Sequence, residues 1–282
     1  MYIPIIGSIA LASGNIFEKF ALKKRKIDIF LYQTASFLFI LLSMLPFIFF
    51  FWKIDKNAFL LKNIFIFILV ILCAFFANLF IFKALKSEKL TTLQPIRSFE
   101  PIFTVLLAVL FSTFSKDFSF SLKILIPSLI ASFAVIFPHI EKEKIVLDKY
   151  LIFAFFGSFF FALELVLSKL ILQFYSPLTF YFLRCLFIFI FSLLIFRPDF
   201  KKLDKKTNLI LLFTGIAWVT YRIALYISYD KYGVIFTTTI LLLAPILTYI
   251  LANTFLKEKL NWKNILSSLI IILCVVYLIL FK

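Results

Sequence analysis

The chain carries one pattern twice, since its two halves each contain five apolar segments of membrane-spanning length. Gly7-Ser8 precedes Lys19 by the same interval at which Gly157-Ser158 precedes Lys169, and the copies are offset by 150 residues. Five is an odd number of crossings, so the second copy must enter the bilayer from the opposite face. Fused inverted repeats are typical of proteins that hold a solute between their halves, near the membrane midplane.

Hydrophobic residues make up 63% of the 282, above the ~45–50% typical of soluble domains. A hydrocarbon core of about 30 Å takes about 20 helical residues to cross, and unpaired backbone groups are too costly in lipid for open structures. The sequence therefore predicts an all-α integral membrane protein with ten transmembrane helices as two inverted five-helix repeats. The repeats are residues 1–140 and 148–282, which together form one membrane domain. The predicted spans are Ile3–Leu22, Ile29–Phe51, Ile64–Leu85, Thr91–Phe111, Leu122–Pro138, Tyr150–Leu172, Leu178–Phe196, Asn208–Tyr229, Val234–Phe255 and Trp262–Leu280.

The formal net charge of +16 comes mainly from lysines in the short connectors between spans. Such a distribution favours anionic lipid head groups as partners and gives no sign of a nucleic-acid site. The side that holds connectors 1–2, 3–4, 5–6, 7–8 and 9–10, called side A, carries 19 Lys or Arg with flanking residues, against 8 on side B. The positive-inside rule places side A in the cytoplasm and both termini outside. We predict a multi-pass protein of the bacterial cytoplasmic (inner) membrane.

Several classes of activity have no support in the residues. The three cysteines lie inside spans without metal or disulfide spacing, and His139, the single histidine, follows a span end. The sequence contains no Gly-rich phosphate loop and no recognisable nucleophile motif. We therefore expect no enzyme activity, no cofactor and no metal. Ten spans can enclose a pathway in one protomer, so the expected state is a monomer or a homodimer.

Four segments resemble a known family. Span 9 contains Ala244-Pro245-Ile246-Leu247 and is followed by Lys257-Glu258-Lys259. A weaker version of this pattern begins at Glu100-Pro101 in the first repeat. Span 7 opens with the aromatic run Pro177–Arg184, and span 8 ends with Ala224–Tyr229. Together with the layout, these segments are similar to the EamA-type branch of the drug/metabolite transporter superfamily. The resemblance implies a ten-helix inverted-repeat carrier with a central cavity, for amino acids, nucleotide sugars, other metabolites or drugs. It also implies cytoplasmic termini, opposite to the charge count.

Ionisable side chains inside the spans are the best pointers to a site, because a charge in lipid costs roughly 2.5–3.5 kcal/mol on insertion scales. At 1.5 Å per helical residue, Glu164, Arg184 and Arg222 share one layer, where they would form a polar floor or gate on the side-B half of a cavity. Glu100 lies near the midplane, and Arg97 lies three residues before it.

Trp218, Tyr221 and Arg222 share one helical face by the i, i+3, i+4 rule, an arrangement suited to an organic anion or the carboxylate of a zwitterion. The hydroxyls of Thr237 and Thr238 lie near the same layer and would line a solute path. The predicted substrate-binding residues are Glu100, Glu164, Arg184, Trp218, Tyr221, Arg222, Thr237 and Thr238, with Glu100 and Glu164 as candidate proton carriers.

Each of these residues also has a structural explanation. Glu164 and an arginine of its layer can be an ion pair that holds helices together, and Arg97 with Glu100 can satisfy each other at i, i+3. The threonines can bond back to the preceding turn, and the aromatic residues of span 8 can face lipid. Glu18 and Lys19, close to the end of span 1, are expected to snorkel to the interface.

Three functions stay open at this point. The leading one is a secondary transporter of a small organic metabolite, amino acid-like or otherwise anionic or zwitterionic, working by alternating access with proton coupling. Three embedded arginines against two glutamates favour an anionic or zwitterionic solute. A carrier for choline-like cations, with an aromatic cage, is the second. The third, from another class, is a non-transporting membrane scaffold or a lipid-modifying enzyme.

Overall fold

The fold is all-helical over the residues that a computed structural model describes, which are 2–24, 27–87, 99–113, 115, 118, 120–136, 149–256 and 262–281. This part of the chain contains eleven α-helices and no strand. The helices are α1 Tyr2–Lys19, α2 Ile29–Phe51, α3 Leu61–Ser87, α4 Phe99–Ser112, α5 Leu122–Ile136, α6 Lys149–Leu172, α7 Pro177–Phe196, α8 Lys205–Tyr232, α9 Val234–Leu241, α10 Leu243–Leu251 and α11 Trp262–Leu280.

The helices make up ten spans, because α9 and α10 follow each other along one span. Eight spans are long and apolar enough to cross a membrane, and α4 and α5 are shorter apolar helices. The predicted all-α fold with ten spans in two repeats is therefore confirmed. The predicted start of span 4 at Thr91 lies outside the described residues.

Span 9 is not the uninterrupted helix that hydropathy predicts. Pro245 has no N–H to offer the carbonyl of Leu241, so the helical ladder cannot continue past it. The backbone instead closes a tighter turn, in which the N–H of Leu242 donates to the carbonyl of Thr239 at 3.2 Å. Pro245 then stands in the first turn of α10, where a missing N–H costs little.

Acidic and hydroxyl side chains fix the starts of several helices. Asp28 accepts hydrogen bonds from the first backbone N–H groups of α2, Ser176 caps α7, and Asp204 caps α8. Each side chain satisfies a backbone donor that has no partner within its helix.

Two connectors on side B meet and show that the repeats are inverted. Ile54, after α2, pairs in antiparallel fashion with Tyr175, after α6. The N–H of Asp55 donates to the carbonyl of Phe174 at 2.7 Å, so the pairing includes a short main-chain hydrogen bond. Because α2 and α6 thus end on the same face, α6 runs opposite to α1, its counterpart in the first repeat.

Helix packing repeats when the two halves are exchanged. α1 packs against α8, and its counterpart α6 packs against α3; α2 packs against α7, and α5 against α11. The glycines of the duplicated motif lie in equivalent contacts. A Cβ on Gly7 would come within 3.3 Å of Ala224 and Leu241, and one on Gly157 within 2.8 Å of Ile81. Each glycine therefore brings the first helix of its repeat close to the third helix of the other.

Gly215 lies at a close contact between α8 and α2, and it gives a stability prediction. A Cβ there would lie 2.8 Å from the carbonyl oxygen of Phe39 and 3.0 Å from Oγ of Ser43. Gly215→Ala should lower the free energy of unfolding by about 1–3 kcal/mol, because a backbone atom cannot move aside cheaply. Thermal unfolding in detergent measures this. Gly14→Ala, where the nearest atom is 3.4 Å away, is the control and should be neutral; equal losses in both variants would contradict the close contact.

The repeat-related lysines each contact the third helix of their own repeat, on opposite faces. Lys19 is 1% exposed, and its Nζ donates to the carbonyl of Leu85 on α3 at 2.5 Å. Lys169 donates to Asp230 on α8 at 2.8 Å, with side-chain exposures of 14% and 44%. The expectation that Lys19 snorkels to the interface is therefore wrong, because the end of α1 packs inside the bundle and its ammonium finds a buried carbonyl.

Candidate functional site

The three predicted charges of one layer form a buried ion cluster. Nη1 of Arg184, on α7, donates to Oε1 of Glu164 on α6 at 2.6 Å. Nη1 of Arg222, on α8, donates to the other carboxylate oxygen at 2.9 Å. All three side chains are at most 2% exposed. Glu164 therefore links three helices of the second repeat.

Further polar and aromatic groups surround the ion cluster. Ser168, one turn after Glu164, donates to Oε1 of that carboxylate at 3.1 Å. Arg184 also donates to the hydroxyl of Tyr226 at 2.9 Å, and its Cζ lies 5.1 Å from the ring centroid of Tyr181. Multiple partners of this kind offset the desolvation of buried charge. The ion pair that was the structural explanation for Glu164 is thus present, and it includes both arginines.

A cavity of about 70 Å³ lies between the two repeats, with room for about two water molecules at ~30 Å³ each. α1 and α4 supply its wall from the first repeat, and α6, α8, α9 and α10 supply it from the second. Five predicted binding residues line it, and three others, Glu164, Arg184 and Thr237, do not. The five are Glu100, Trp218, Tyr221, Arg222 and Thr238.

Arg222 connects the ion cluster to the cavity. One of its nitrogens binds Glu164, whereas its Nε is buried and has no hydrogen-bond partner within the described residues. Its Cζ lies 5.5 Å from the ring centroid of Tyr221, so an aromatic face flanks the guanidinium. Tyr229 and Thr238 line the same cavity, and neither hydroxyl has a hydrogen-bond partner within the described residues. The cavity therefore presents a cation and two hydroxyls beside an apolar lining.

The aromatic residues of span 8 face inward. Trp218 is 9% exposed and Tyr221 3%, which rules out the alternative that they face lipid. Their rings meet edge to face at 5.5 Å. Of the threonines, Thr239 donates back to the carbonyl of Ile235 at 2.9 Å, as the packing explanation expects, while Thr237 is buried away from the cavity.

The sequence interpretation missed two polar residues of α1. Asn15 lines the cavity, and Glu18, expected to snorkel, is only 2% exposed. That expectation is wrong because Oε1 of Glu18 accepts a hydrogen bond from Nε1 of Trp218 at 2.9 Å. Asn15 and Glu18 are spaced i, i+3, which places both on one face of α1. This spacing was the signal in the sequence that could have identified them.

The buried charges are balanced in the part of the chain that the structure describes. Three acidic residues, Glu18, Glu100 and Glu164, are buried or line the cavity, and so are three basic ones, Lys19, Arg184 and Arg222. The excess of arginine that favoured an anion therefore disappears in this count. Arg97 and His139 lie outside the described residues, so the proposed pairing of Arg97 with Glu100 stays a prediction.

Comparisons with known proteins agree with the fold. The profile of the EamA-like transporter family matches residues 2–137 and 148–280, which confirms the resemblance seen in the sequence. One crystal structure of a protein aligns over 100% of this chain and 99% of its own, with a TM-score of 0.73 and 14% sequence identity. At that identity the likeness concerns the fold alone. No curated protein matches the chain.

Proposed function

Because the chain belongs to the EamA-like transporter family, we propose that it is a secondary transporter of a small zwitterionic solute, such as an amino acid. The family makes it a multi-pass membrane transporter of small solutes. We further propose that it works in the bacterial cytoplasmic membrane, by alternating access, as a monomer or a homodimer.

The observation that carries this proposal is the pair of opposite charges on the cavity wall. Arg222 belongs to α8 in the second repeat, and Glu100 belongs to α4 in the first. Nε of Arg222 would donate to a carboxylate, with help from the hydroxyls of Tyr229 and Thr238. Glu100 would bind an ammonium group. The present volume suits a solute of only a few non-hydrogen atoms.

A zwitterion bound in this way bridges the two repeats. Its carboxylate end attaches to a helix that the buried ion cluster of Glu164, Arg184 and Arg222 holds to its neighbours. Its ammonium end attaches to the other half. Movement of one half against the other would then depend on the occupied site, which is the requirement of alternating access.

A carrier for choline-like cations is the second candidate. Trp218, Tyr221 and Phe161 line the cavity and offer aromatic faces to a quaternary ammonium group. The guanidinium of Arg222 in the same wall disfavours a solute with only positive charge. A scaffold or a lipid-modifying enzyme would need neither charge there.

We propose Glu100 as the proton carrier, since a coupling group must exchange with the solute path. Glu100 lines the cavity, whereas Glu164 is fully buried between two guanidinium groups. Glu100→Gln is expected to abolish accumulation driven by a proton gradient in proteoliposomes, while solute exchange continues at a raised KM because the amide oxygen still accepts from the ammonium group. Glu100→Asp, which keeps a carboxylate, is the matched control and should retain accumulation.

Three outcomes would contradict these proposals. Gradient-driven accumulation by Glu100→Gln at the wild-type level would exclude Glu100 as the carrier. Wild-type protein that exchanges no labelled amino acid, but binds or moves quaternary amines, would replace the zwitterion by a cation. Absence of flux for every solute class would favour a protein that does not transport.

A further inference from the structure

Glu18 makes a hydrogen bond that spans the interface between the two repeats. Its carboxylate lies near the end of α1 and accepts from the indole N–H of Trp218 on α8, at 2.9 Å. The residue is 2% exposed. A carboxylate is costly to bury in a membrane protein, so a buried one points to a specific role.

Trp218 forms a wall shared by two cavities. It lines the central cavity and also a smaller one of about 10 Å³, whose lining includes Glu18 and Arg184. Arg222 and Phe161 belong to both linings as well. The indole ring therefore takes part, with Arg222 and Phe161, in dividing the space between the repeats.

α1 contacts the indole at two places on one helical face. Gly14 has no side chain where a Cβ would lie 3.4 Å from Nε1 and 3.6 Å from Cε2 of Trp218. Glu18, four residues later, supplies the hydrogen-bond acceptor on the same face. The indole thus lies beside Gly14, and the carboxylate fixes the direction of its N–H.

Trp218 is connected to the cationic group of the cavity through the ring of Tyr221. Trp218 meets Tyr221 edge to face, at 5.5 Å between ring centroids and 70° between ring planes. Cζ of Arg222 lies 5.5 Å from the same tyrosine ring. A change in the indole position would thus disturb the aromatic ring that flanks the guanidinium.

We propose that Glu18 is a positioning residue, which holds the indole of Trp218 in the cavity wall and thereby sets the shape of the substrate site. This inference rests on the proposed function, because it takes the central cavity as that site. Glu18 acts as a hydrogen-bond acceptor in this role and need not touch the solute.

Trp218 fluorescence tests the positioning directly. The chain has two other tryptophans, Trp52 and Trp262, both exposed, and Trp52→Phe with Trp262→Phe leaves Trp218 as the only indole. In this background Glu18→Leu is expected to shift the emission maximum, because the N–H loses its acceptor. Glu18→Gln keeps an acceptor oxygen and should keep the emission. An unchanged spectrum in Glu18→Leu would overturn the proposal.

Transport kinetics provide the second readout. Glu18→Leu should raise KM about tenfold, the size of one lost charge-assisted hydrogen bond, while Glu18→Gln stays within about twofold of wild type. Trp218→Phe removes the donor and keeps a ring, so it should raise KM as well, and adding Glu18→Leu to it should have no further effect. If Glu18→Leu does not fold, the single variant Trp218→Phe carries the test alone.

The outcomes separate this proposal from the proposed function. Equal losses of transport in Glu18→Gln and Glu18→Leu would overturn positioning in favour of a role for the charge itself. The emission spectrum needs no solute, so its result stands even if wild-type protein transports nothing. In that case the proposed function fails, while a shift confined to Glu18→Leu still supports the contact.

Discussion

Replacing Glu164 by leucine is expected to lower the free energy of unfolding by about 3–5 kcal/mol and to abolish transport. Glu164 is the only carboxylate seen to bind Arg184 and Arg222 in the described part of the chain, at 2.6 and 2.9 Å. Its loss leaves two guanidinium groups buried without a counter-charge, and unpaired buried charge is among the largest single-residue penalties. Thermal unfolding in detergent, with and without added solute, measures the effect.

Two controls separate stability from transport. Glu164→Gln keeps the volume but not the charge, and should lose nearly as much stability as the leucine variant. A triple variant, Glu164→Leu with Arg184→Met and Arg222→Met, removes all three charges and should recover most of the stability, since apolar replacements of whole ion clusters are often neutral. It should still fail to transport. Normal stability of Glu164→Gln would show that the cluster does not depend on this charge.

Arg222→Met and Arg184→Met are expected to differ in solute affinity, although both remove a partner of Glu164. Arg222 alone of the two lines the central cavity; Nε of each arginine has no partner in the described structure, but only that of Arg222 belongs to a cavity residue. Loss of a charge-assisted contact of about 1.5–3 kcal/mol should raise KM in Arg222→Met by about 10- to 100-fold. Arg184→Met should cost stability and change KM far less.

A lysine at position 222 refines this comparison. Arg222→Lys keeps a positive charge but loses the planar fork that allows one side chain to bind Glu164 and a solute together. Its KM should fall between those of wild type and Arg222→Met. Equal KM values in the methionine variants of the two arginines would contradict the assignment of Arg222 to the solute site. Initial rates of solute exchange in proteoliposomes provide these values.

Hydropathy and embedded charge were enough to predict much of the architecture. The span of α2, Ile29–Phe51, agrees with the prediction at both ends, because its borders coincide with abrupt changes in polarity. Glu164, Arg184 and Arg222 were placed in one layer by counting residues from the ends of their spans, and the structure brings them into contact. Helix rise is regular enough for such depth estimates.

The inward direction of side chains at a helix end could not be predicted in the same way. Glu18 and Lys19 are the last two residues of α1, a position where polar side chains usually reach water. Their burial depends on the packing of α1 against α8 and of its last turn near α3, which no single span encodes. The choice of Arg222 over Arg184 as the cavity residue likewise depends on helix rotation.

The contacts of Lys19 and Lys169 make the two ends of this protein different, although the duplicated sequence suggests that they are alike. Dissolved ions reach the Lys169–Asp230 pair, whose acid is 44% exposed, and at ~0.1 M salt they screen charges over about 10 Å. The ammonium of Lys19 is 1% exposed and bound to a main-chain carbonyl, where ions do not penetrate. Ionic strength should therefore weaken the Lys169–Asp230 pair and leave the Lys19 contact unchanged, so the two ends of the protein differ in their response to salt.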